Sequence, residues 1–193
     1  MREKSSKDNI KIWGIILAAG EGKRAGGGKL KRIIRGKPML QHVVEIALQS
    51  SLDKVMMVTG FEKNLGEKIA NCFGIKHHFN SDYPLGMSTS LKLGMSKVPH
   101  GVSAAVVLLG DMPYLKRETL EAIIDLHKTT GGKIIIPTYD RKKGNPVLIS
   151  CIYRDEIYNI SGDMGAREII KKHFDEVRYL ETDDPGVLQD IDY

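Results

Sequence analysis

The segment IWGIILAAGEGKRAGGGK, residues 12–29, joins an apolar run to a glycine-rich stretch that carries several positive charges. Such an apolar run is typical of a strand that is buried on both faces of a parallel sheet. Glycine permits backbone conformations that other residues avoid, and lysine and arginine attract anions. Because ligands of these sheets bind at the carboxyl ends of the strands, we interpret the stretch as an anion-binding loop rather than a solvated surface loop.

The composition is that of an ordinary globular chain, with 41% hydrophobic and 27% charged residues among 193. This length predicts one domain, residues 12–193, after a flexible N-terminal tail, residues 1–11. No apolar run approaches the roughly 20 residues that span a bilayer, so we expect no membrane association. The charged N-terminal tail also lacks the apolar segment of a secretory signal.

The charge and the cysteines narrow the function further. The net charge is +5, and much of the excess lies within residues 23–37. Aromatic residues make up 6% of the chain and none lies in this cluster, a pattern that favours a small anionic ligand over nucleic acid. Cys72 and Cys151 lie far apart without CxxC spacing, which disfavours a disulfide framework or a zinc site and indicates a reducing, cytoplasmic location.

Short apolar runs alternate with segments of helical period along the chain. The predicted strands are residues 12–19, 54–60, 75–79, 103–113, 133–139 and 176–183. The predicted helices are residues 38–51, 62–73, 86–98, 116–130 and 162–174, and a hairpin-like excursion occupies residues 140–150. This alternation predicts an α/β fold, a three-layer α/β/α sandwich around a mostly parallel, Rossmann-like sheet.

Two other glycine-rich loops compete for the first segment. The P-loop is excluded, because no Gly-Lys pair in the sequence has glycine five places before it or serine or threonine after it. The dinucleotide fingerprint GxGxxG/A fits residues 20–25, but glycines follow where its helix should begin. The second predicted strand also ends in Thr59 and Gly60 rather than in an acidic residue. Nicotinamide binding is therefore the weaker alternative.

The loop and six later blocks resemble the MobA-like nucleotidyltransferases, which include the molybdenum cofactor cytidylyltransferases and guanylyltransferases. LAAGEGKRAGGGK is similar to the family signature LAAGxxxRxGxxK. The later blocks, in family order, are GKPML, NSDYPLGMSTSL, LLGDMP, GNPVLIS, GDMGAR and VLQDID. The resemblance covers nearly the whole chain, residues 12–192, and implies the nucleotide-diphospho-sugar transferase type of the fold.

The resemblance implies a Mg²⁺-dependent nucleotidyl transfer, in which cations neutralise a triphosphate and carboxylates hold the metal. Asp111, at the end of the LLGD strand, is the expected metal ligand, in preference to a simple turn cap. Asp192 is the expected second ligand, with Asp190 as the alternative. Lys29 and Arg24 are expected to neutralise the triphosphate and, with Asp111, to be catalytic.

The nucleotide-binding residues implied by the resemblance lie mostly in the glycine-rich loop. The full expected set is Ala18, Ala19, Gly20, Gly22, Lys23, Arg24, Lys29, Thr59 and Gly60. The LAAG form is typical of the cytidylyl branch of the family, whereas the guanylyl branch has LAGG. CTP is therefore favoured over GTP.

The acceptor side is expected to use Asp82, Ser88, Asn145, Asp163 and Arg167. Many relatives have histidine in place of Asn145, and Asp163 with Arg167, four residues apart on a predicted helix, also fits a surface ion pair. Neighbouring side chains of a strand point to opposite faces, so the pair at residues 77–78, both histidine, is not expected to chelate a metal.

The leading hypothesis is a cytoplasmic enzyme that transfers CMP from CTP to the phosphate of molybdopterin, the pterin of the molybdenum cofactor, and releases pyrophosphate. A molybdoenzyme that receives the product is a further implied partner. The alternatives are nucleotidyl transfer to a sugar or alditol phosphate and a cofactor-binding chaperone with little activity. A nicotinamide oxidoreductase ranks last.

Overall fold

The computed structural model describes residues 10–22, 27–162 and 165–190. The strands are β1 (Ile12–Ala18), β2 (Ile33–Ile34), β3 (Lys37–Pro38), β4 (Lys54–Thr59), β5 (Lys76–Phe79), β6 (Ala104–Leu109), β7 (Ile134–Tyr139), β8 (Lys142–Lys143), β9 (Val147–Ser150) and β10 (Val177–Glu181). The helices are α1 (Met39–Leu48), α2 (Lys63–Cys72), α3 (Met87–Lys97), α4 (Arg117–Thr130), α5 (Arg154–Asn159) and α6 (Arg167–Lys172). Within these ranges no helix has the length and apolar character needed to cross a bilayer.

The main sheet has eight strands in the described part of the chain and is mostly parallel. Its order is β10-β7-β9-β6-β1-β4-β5, and β8 pairs with β7 at one side. β1 pairs in parallel with β4 and β6, β4 with β5, and β10 with β7. β9 runs antiparallel between β6 and β7. The predicted α/β class and the mostly parallel sheet are confirmed.

Helices cover both faces of this sheet because its central strands carry apolar side chains on both sides. Ile16 and Met57 pack with α1, α2 and α4 in one apolar cluster. Ile15 and Met56 pack with α3, α5 and α6 in the other. Neighbouring residues thus serve opposite faces, as the two-residue period of a strand requires, and the result is the predicted three-layer sandwich.

The structure differs from the predicted elements mainly between β7 and β10. The segment expected as a hairpin-like excursion supplies β9, which enters the main sheet. Helix α5 follows directly and was not predicted, because its six residues are too few to show a helical period. The helix predicted over residues 162–174 is found as α6, Arg167–Lys172, followed by a short 3₁₀ helix, Phe174–Glu176.

The buried carboxylate of Asp184 joins the chain after β10 to the start of α4. Asp184 is only 1% exposed, and its Oδ2 accepts hydrogen bonds from the Lys116 N–H and the Thr119 hydroxyl, both at 2.8 Å. Its Oδ1 accepts from the Gly186 N–H at 2.8 Å. These bonds fix residues 184–188, whose Val187 carbonyl in turn accepts from the Asn145 N–H at 2.9 Å.

We expect Asp184→Ala to lower the free energy of unfolding by at least about 3 kcal/mol, because it leaves three donors without their acceptor. Urea unfolding followed by the fluorescence of Trp13 measures the change. The matched control is Asp183→Ala at the exposed neighbouring position, which should shift the free energy by less than about 0.5 kcal/mol. Equal unfolding midpoints for the two variants would contradict the anchoring role.

Candidate active site

A cavity of about 1350 Å³ opens at the carboxyl ends of β1 and β6. Its walls come from the loop after β1, the loop after β6, the start of α3, the β8–β9 connection and α6. Pockets for single drug-sized ligands usually measure about 300–1000 Å³. The cavity therefore has room for two ligands side by side, as a group-transfer reaction requires.

Lys29 and Asp111 form an ion pair in the cavity wall. The Lys29 Nζ lies 2.5 Å from the Asp111 Oδ2, and the two side chains are only 14% and 16% exposed. Asp111 reaches this position because it follows β6, where the Gly110 N–H extends the pairing with β1 by donating to the Leu17 carbonyl at 3.0 Å. The structure thus brings together the predicted cation and the predicted carboxylate.

Glu62, just before α2, anchors the loop that carries Lys29. The Leu30 N–H donates to the Glu62 Oε2 at 2.9 Å, although the two residues are 32 positions apart in the sequence. Within the loop, the Gly27 N–H donates to the Gly22 carbonyl at 3.0 Å. These contacts hold the short 3₁₀ helix Lys29–Lys31 against the end of the sheet.

Two glycines are required by the shape of this loop. Gly28 immediately precedes the 3₁₀ helix and has a left-handed backbone, with φ 67° and ψ 31°, a conformation that L side chains rarely adopt. Gly22 has φ 63°, and a Cβ there would lie 3.2 Å from the Lys29 Cγ. A side chain at Gly22 would therefore both strain the backbone and displace Lys29.

The carboxylate of Asp111 fits a divalent ion. Its Oδ2 faces Lys29, whereas its Oδ1 is buried without a hydrogen-bond partner. A buried carboxylate oxygen normally has a donor or a metal as its partner. Mg²⁺ prefers oxygen ligands, and it is often held by one or two carboxylates together with substrate phosphates. The Oδ1 atom is suited to that role.

The second carboxylate is less well placed. Asp190 lines the same cavity as Asp111, whereas Asp192 lies outside the described residues. Within the described ranges, no group of three histidine, cysteine, aspartate or glutamate side chains could hold a metal. A metal here would therefore be held by Asp111, by Asp190 or a carboxylate beyond the described residues, and by the phosphates of a bound nucleotide.

Most of the predicted nucleotide-binding residues that the structure describes line the cavity, namely Ala18, Ala19, Gly20, Gly22 and Lys29. Thr59 does not, because it is fully buried and its hydroxyl faces the His78 carbonyl at 3.5 Å. Gly60 instead packs against Ala19, where a Cβ would lie 2.5 Å from the carbonyl oxygen. Lys23 and Arg24 lie outside the described residues.

Of the predicted acceptor residues, too, some line the cavity, some do not, and one lies outside the described residues. Asn145 and Arg167 line the cavity, whereas Asp163 lies outside the described residues. Asp82 is exposed and does not line the cavity, although the next residue, Tyr83, does. Ser88 is 1% exposed and also lies off this wall, which Ser90 lines instead. The two serines point in directions about 200° apart on α3, since each helical residue turns by about 100°.

Among the cavity-lining residues that were missed are two lysines and two aromatic residues, Lys143, Lys171, Phe174 and Tyr179. Lys171 could have been found, because it lies four residues after Arg167 and therefore on the same face of a helix. Lys143 directly precedes the GNPV block, which is a weaker signal. Nothing in the sequence distinguishes the two aromatic residues from ordinary surface positions.

The sequence model of the MobA-like NTP transferase domain matches residues 14–177 of this chain. The chain belongs to this family. A curated relative, Bifunctional protein GlmU from Geobacillus sp., is 30% identical over 158 residues. That alignment covers 78% of this chain but 32% of the relative, so the chain spans about a third of its length.

Solved structures support the fold of this family member. Rv0371c from Mycobacterium tuberculosis has a TM-score of 0.84 and 26% identity, covering 95% of this chain and 93% of its own. Its complex with manganese has a TM-score of 0.77 and 23% identity, with coverages of 90% and 89%. The 4-diphosphocytidyl-2C-methyl-D-erythritol synthase from Anaerococcus prevotii has a TM-score of 0.75 and 14% identity, with coverages of 96% and 92%.

We expect Glu62→Ala to raise the KM for the nucleoside triphosphate about 10- to 100-fold, because small displacements of a positioning contact are costly. Glu62→Gln keeps an oxygen acceptor for the Leu30 N–H and should recover most of the loss. The control is Glu67→Ala, which removes a half-exposed ion pair with Lys63 on α2. A KM for Glu62→Ala equal to that of the control would show that Glu62 does not position Lys29.

Proposed function

We propose that this protein transfers CMP from CTP to the phosphate of molybdopterin, with Mg²⁺ bound and pyrophosphate released. The observation that carries the proposal is the ion pair between Lys29 and Asp111 in a cavity large enough for two ligands. Membership of the MobA-like family gives the reaction class, a nucleotidyl transfer. The base and the acceptor are the finer parts of the proposal.

The chemistry requires little proton transfer. An oxygen of the acceptor phosphate attacks the α-phosphorus of CTP, and a new P–O bond forms as the bond to the bridging oxygen of pyrophosphate breaks. The attacking oxygen is already anionic, so a strong general base is unnecessary. The main tasks are to align two anions that repel each other and to neutralise charge at the reacting phosphorus.

Lys29 and Asp111 suit these two tasks. The Lys29 ammonium can leave the Asp111 carboxylate and donate to triphosphate oxygens, where it neutralises charge. Asp111, with Asp190 or Asp192, would hold Mg²⁺, which supplies Lewis-acid neutralisation of phosphate oxygens. The complex of Rv0371c with manganese shows that a protein of the same fold binds a divalent ion, which supports this part of the proposal.

The base and the acceptor are supported by different observations. CTP is favoured by the LAAG sequence and by the cytidyl product named for the Anaerococcus prevotii synthase. A pterin is favoured by the apolar side chains of the cavity wall, because a flat ring needs apolar surface where a hexose needs many hydrogen bonds. The apolar side chains of this wall that present surface are Met87, which is 42% exposed, and the partly exposed Ile170. The molybdoenzyme partner is proposed on the family resemblance alone.

A sugar or alditol phosphate is the second candidate acceptor. It is favoured by the Anaerococcus prevotii synthase, whose name contains an erythritol and whose fold matches 96% of this chain. The residues at the reacting phosphates would be the same for both acceptors. The choice between them therefore depends on the rest of the cavity wall.

We expect Asp111→Asn to reduce turnover at least about 100-fold, because the variant loses the charge that would hold the metal. Lys29→Ala should reduce kcat/KM for CTP by about 10²- to 10³-fold, as the loss of a transition-state donor usually does. Lys31→Ala, an exposed lysine of the same 3₁₀ helix, is the matched control. Near-normal turnover in Asp111→Asn would remove the metal role from this residue.

Pyrophosphate release measured with each acceptor tests the reaction itself. We expect release from CTP with molybdopterin, at least about tenfold weaker release with GTP, and no release with glucose 1-phosphate or erythritol 4-phosphate. Asp111→Asn is the blank for contaminating activity. Release with the sugar or alditol phosphate alone would replace the pterin by the second candidate, and tight pterin binding without turnover would indicate a chaperone.

A further inference from the structure

A second wall of the cavity combines positive charge with exposed aromatic rings. It consists of Lys143, Arg167, Lys171, Phe174 and Tyr179, and we call it the cationic aromatic wall. Phe174 is 74% exposed and Tyr179 is 50% exposed. Rings of this size bury large apolar areas when a partner is present, so their exposure inside a ligand cavity indicates a surface for binding.

The cationic aromatic wall lies on the β10 side of the cavity, away from the ion pair. In the sheet, β9 and β7 separate β6, which precedes Asp111, from β10, which carries Tyr179. Three strand spacings correspond to about 14 Å. A ligand that reaches both regions must therefore be elongated.

The cations of the wall lie between its aromatic end and α3. Gly165, just before α6, abuts α3, since a Cβ there would lie 2.8 Å from the Met87 Sδ. Arg167 and Lys171 follow on α6 about 6 Å apart. Phe174 comes next, in the short helix that leads to β10. The order along this wall is positive charge first and aromatic surface second.

The helix that carries these cations is itself fixed. The Lys172 Nζ lies 2.6 Å from the Glu156 Oε2, and the His173 Nε2 lies 3.0 Å from the same oxygen. These two hydrogen bonds, chiefly that of Lys172, lower the pKa of the Glu156 carboxyl. The His173 ring also packs on Tyr153 at 4.4 Å between centroids. Side chains on α6 therefore project from a helix with a defined position.

We propose that the cationic aromatic wall determines acceptor specificity. Tyr179 and Phe174 bind the flat ring of a phosphorylated heterocycle, and Arg167 and Lys171 bind its phosphate. Lys143, whose Nζ lies over one face of the Tyr179 ring at 5.0 Å from its centre, places positive charge on that face, so the heterocycle stacks on the opposite face or displaces the ammonium. The inference rests on the proposed function, and it assigns the choice of acceptor to residues other than Lys29 and Asp111.

The physical basis is that stacking selects flat ligands. An aromatic side chain under a heterocyclic ring contributes strongly to binding, and it does so without reading individual hydrogen-bonding groups. A hexose phosphate has no flat face to stack, so it would gain only the contacts of its phosphate. The wall therefore favours a phosphorylated planar ring over a sugar phosphate of the same charge.

Binding of neopterin monophosphate, a fluorescent phosphorylated pterin, tests this inference without CTP or metal. Tyr179→Leu should raise its Kd about tenfold or more, whereas Tyr179→Phe, which keeps the ring, should stay within about twofold of the parent. Lys171→Ala should raise the Kd and weaken its dependence on salt. Tyr158→Leu and Lys142→Ala, at exposed positions outside the cavity wall, are the matched controls and should bind as the parent does.

Circular dichroism and CTP binding confirm that each variant is folded. An unchanged Kd in Tyr179→Leu, no saturable binding by the parent, or equally strong competition by glucose 1-phosphate would each overturn the inference. If the parent releases no pyrophosphate with molybdopterin but binds neopterin monophosphate through Tyr179, the inference stands and the proposed function fails. The two failures are therefore distinguishable.

Discussion

The candidate site depends above all on the ion pair between Lys29 and Asp111. Each side chain is largely shielded from water, so each charge needs a partner of opposite sign. A poorly exposed charge without a partner costs several kcal/mol, and here each charge is the partner of the other. A bound triphosphate would give Lys29 a new partner, and a divalent ion would give Asp111 one. A divalent ion on Asp111 would compensate that carboxylate once a triphosphate draws Lys29 away, so in the proposed function nucleotide and metal binding would be coupled in this cavity.

The sheet supplies this contact. β1 and β6 are parallel neighbours, so the loop after β1 and the loop after β6 leave the sheet at the same edge. The glycine-rich loop must then fold back over the end of β6, which requires the left-handed backbone at Gly28 and the external anchor from Glu62. The pair therefore follows from the topology of the sheet and from the described residues 27–31, which Gly28 and Glu62 hold in place.

The sequence allowed prediction of those features that follow from the end of a strand. Asp111 and the described part of the loop after β1 lie at the cavity, as expected. The reason is that the carboxyl ends of parallel strands lie at the same edge of the sheet. Thr59 ends a strand too, but its side chain points into the interior, and strand position alone does not fix that direction. Ser90 lines the cavity where Ser88 was predicted to do so, for a similar reason. The direction of each serine side chain depends on the residue at which α3 begins. α5 was beyond prediction because its six residues show no clear helical period. β9 lies within the predicted hairpin-like excursion, but nothing in the sequence indicated that it enters the main sheet between β6 and β7.

The antiparallel strand β9 explains why the cavity extends from the ion pair to the cationic aromatic wall. Its insertion separates β6 from β7 and β10 by one further strand, about 4.8 Å, and so widens the distance between the ion pair and the cationic aromatic wall. The connection before β9 carries Asn145, whose N–H is held by Val187 in the segment that Asp184 fixes. The proposed acceptor side of the cavity therefore depends on the same buried carboxylate that joins β10 to α4. In the proposed function, changes that loosen this region should alter acceptor binding before they alter nucleotide binding, which we assign to β1, β6 and their loops.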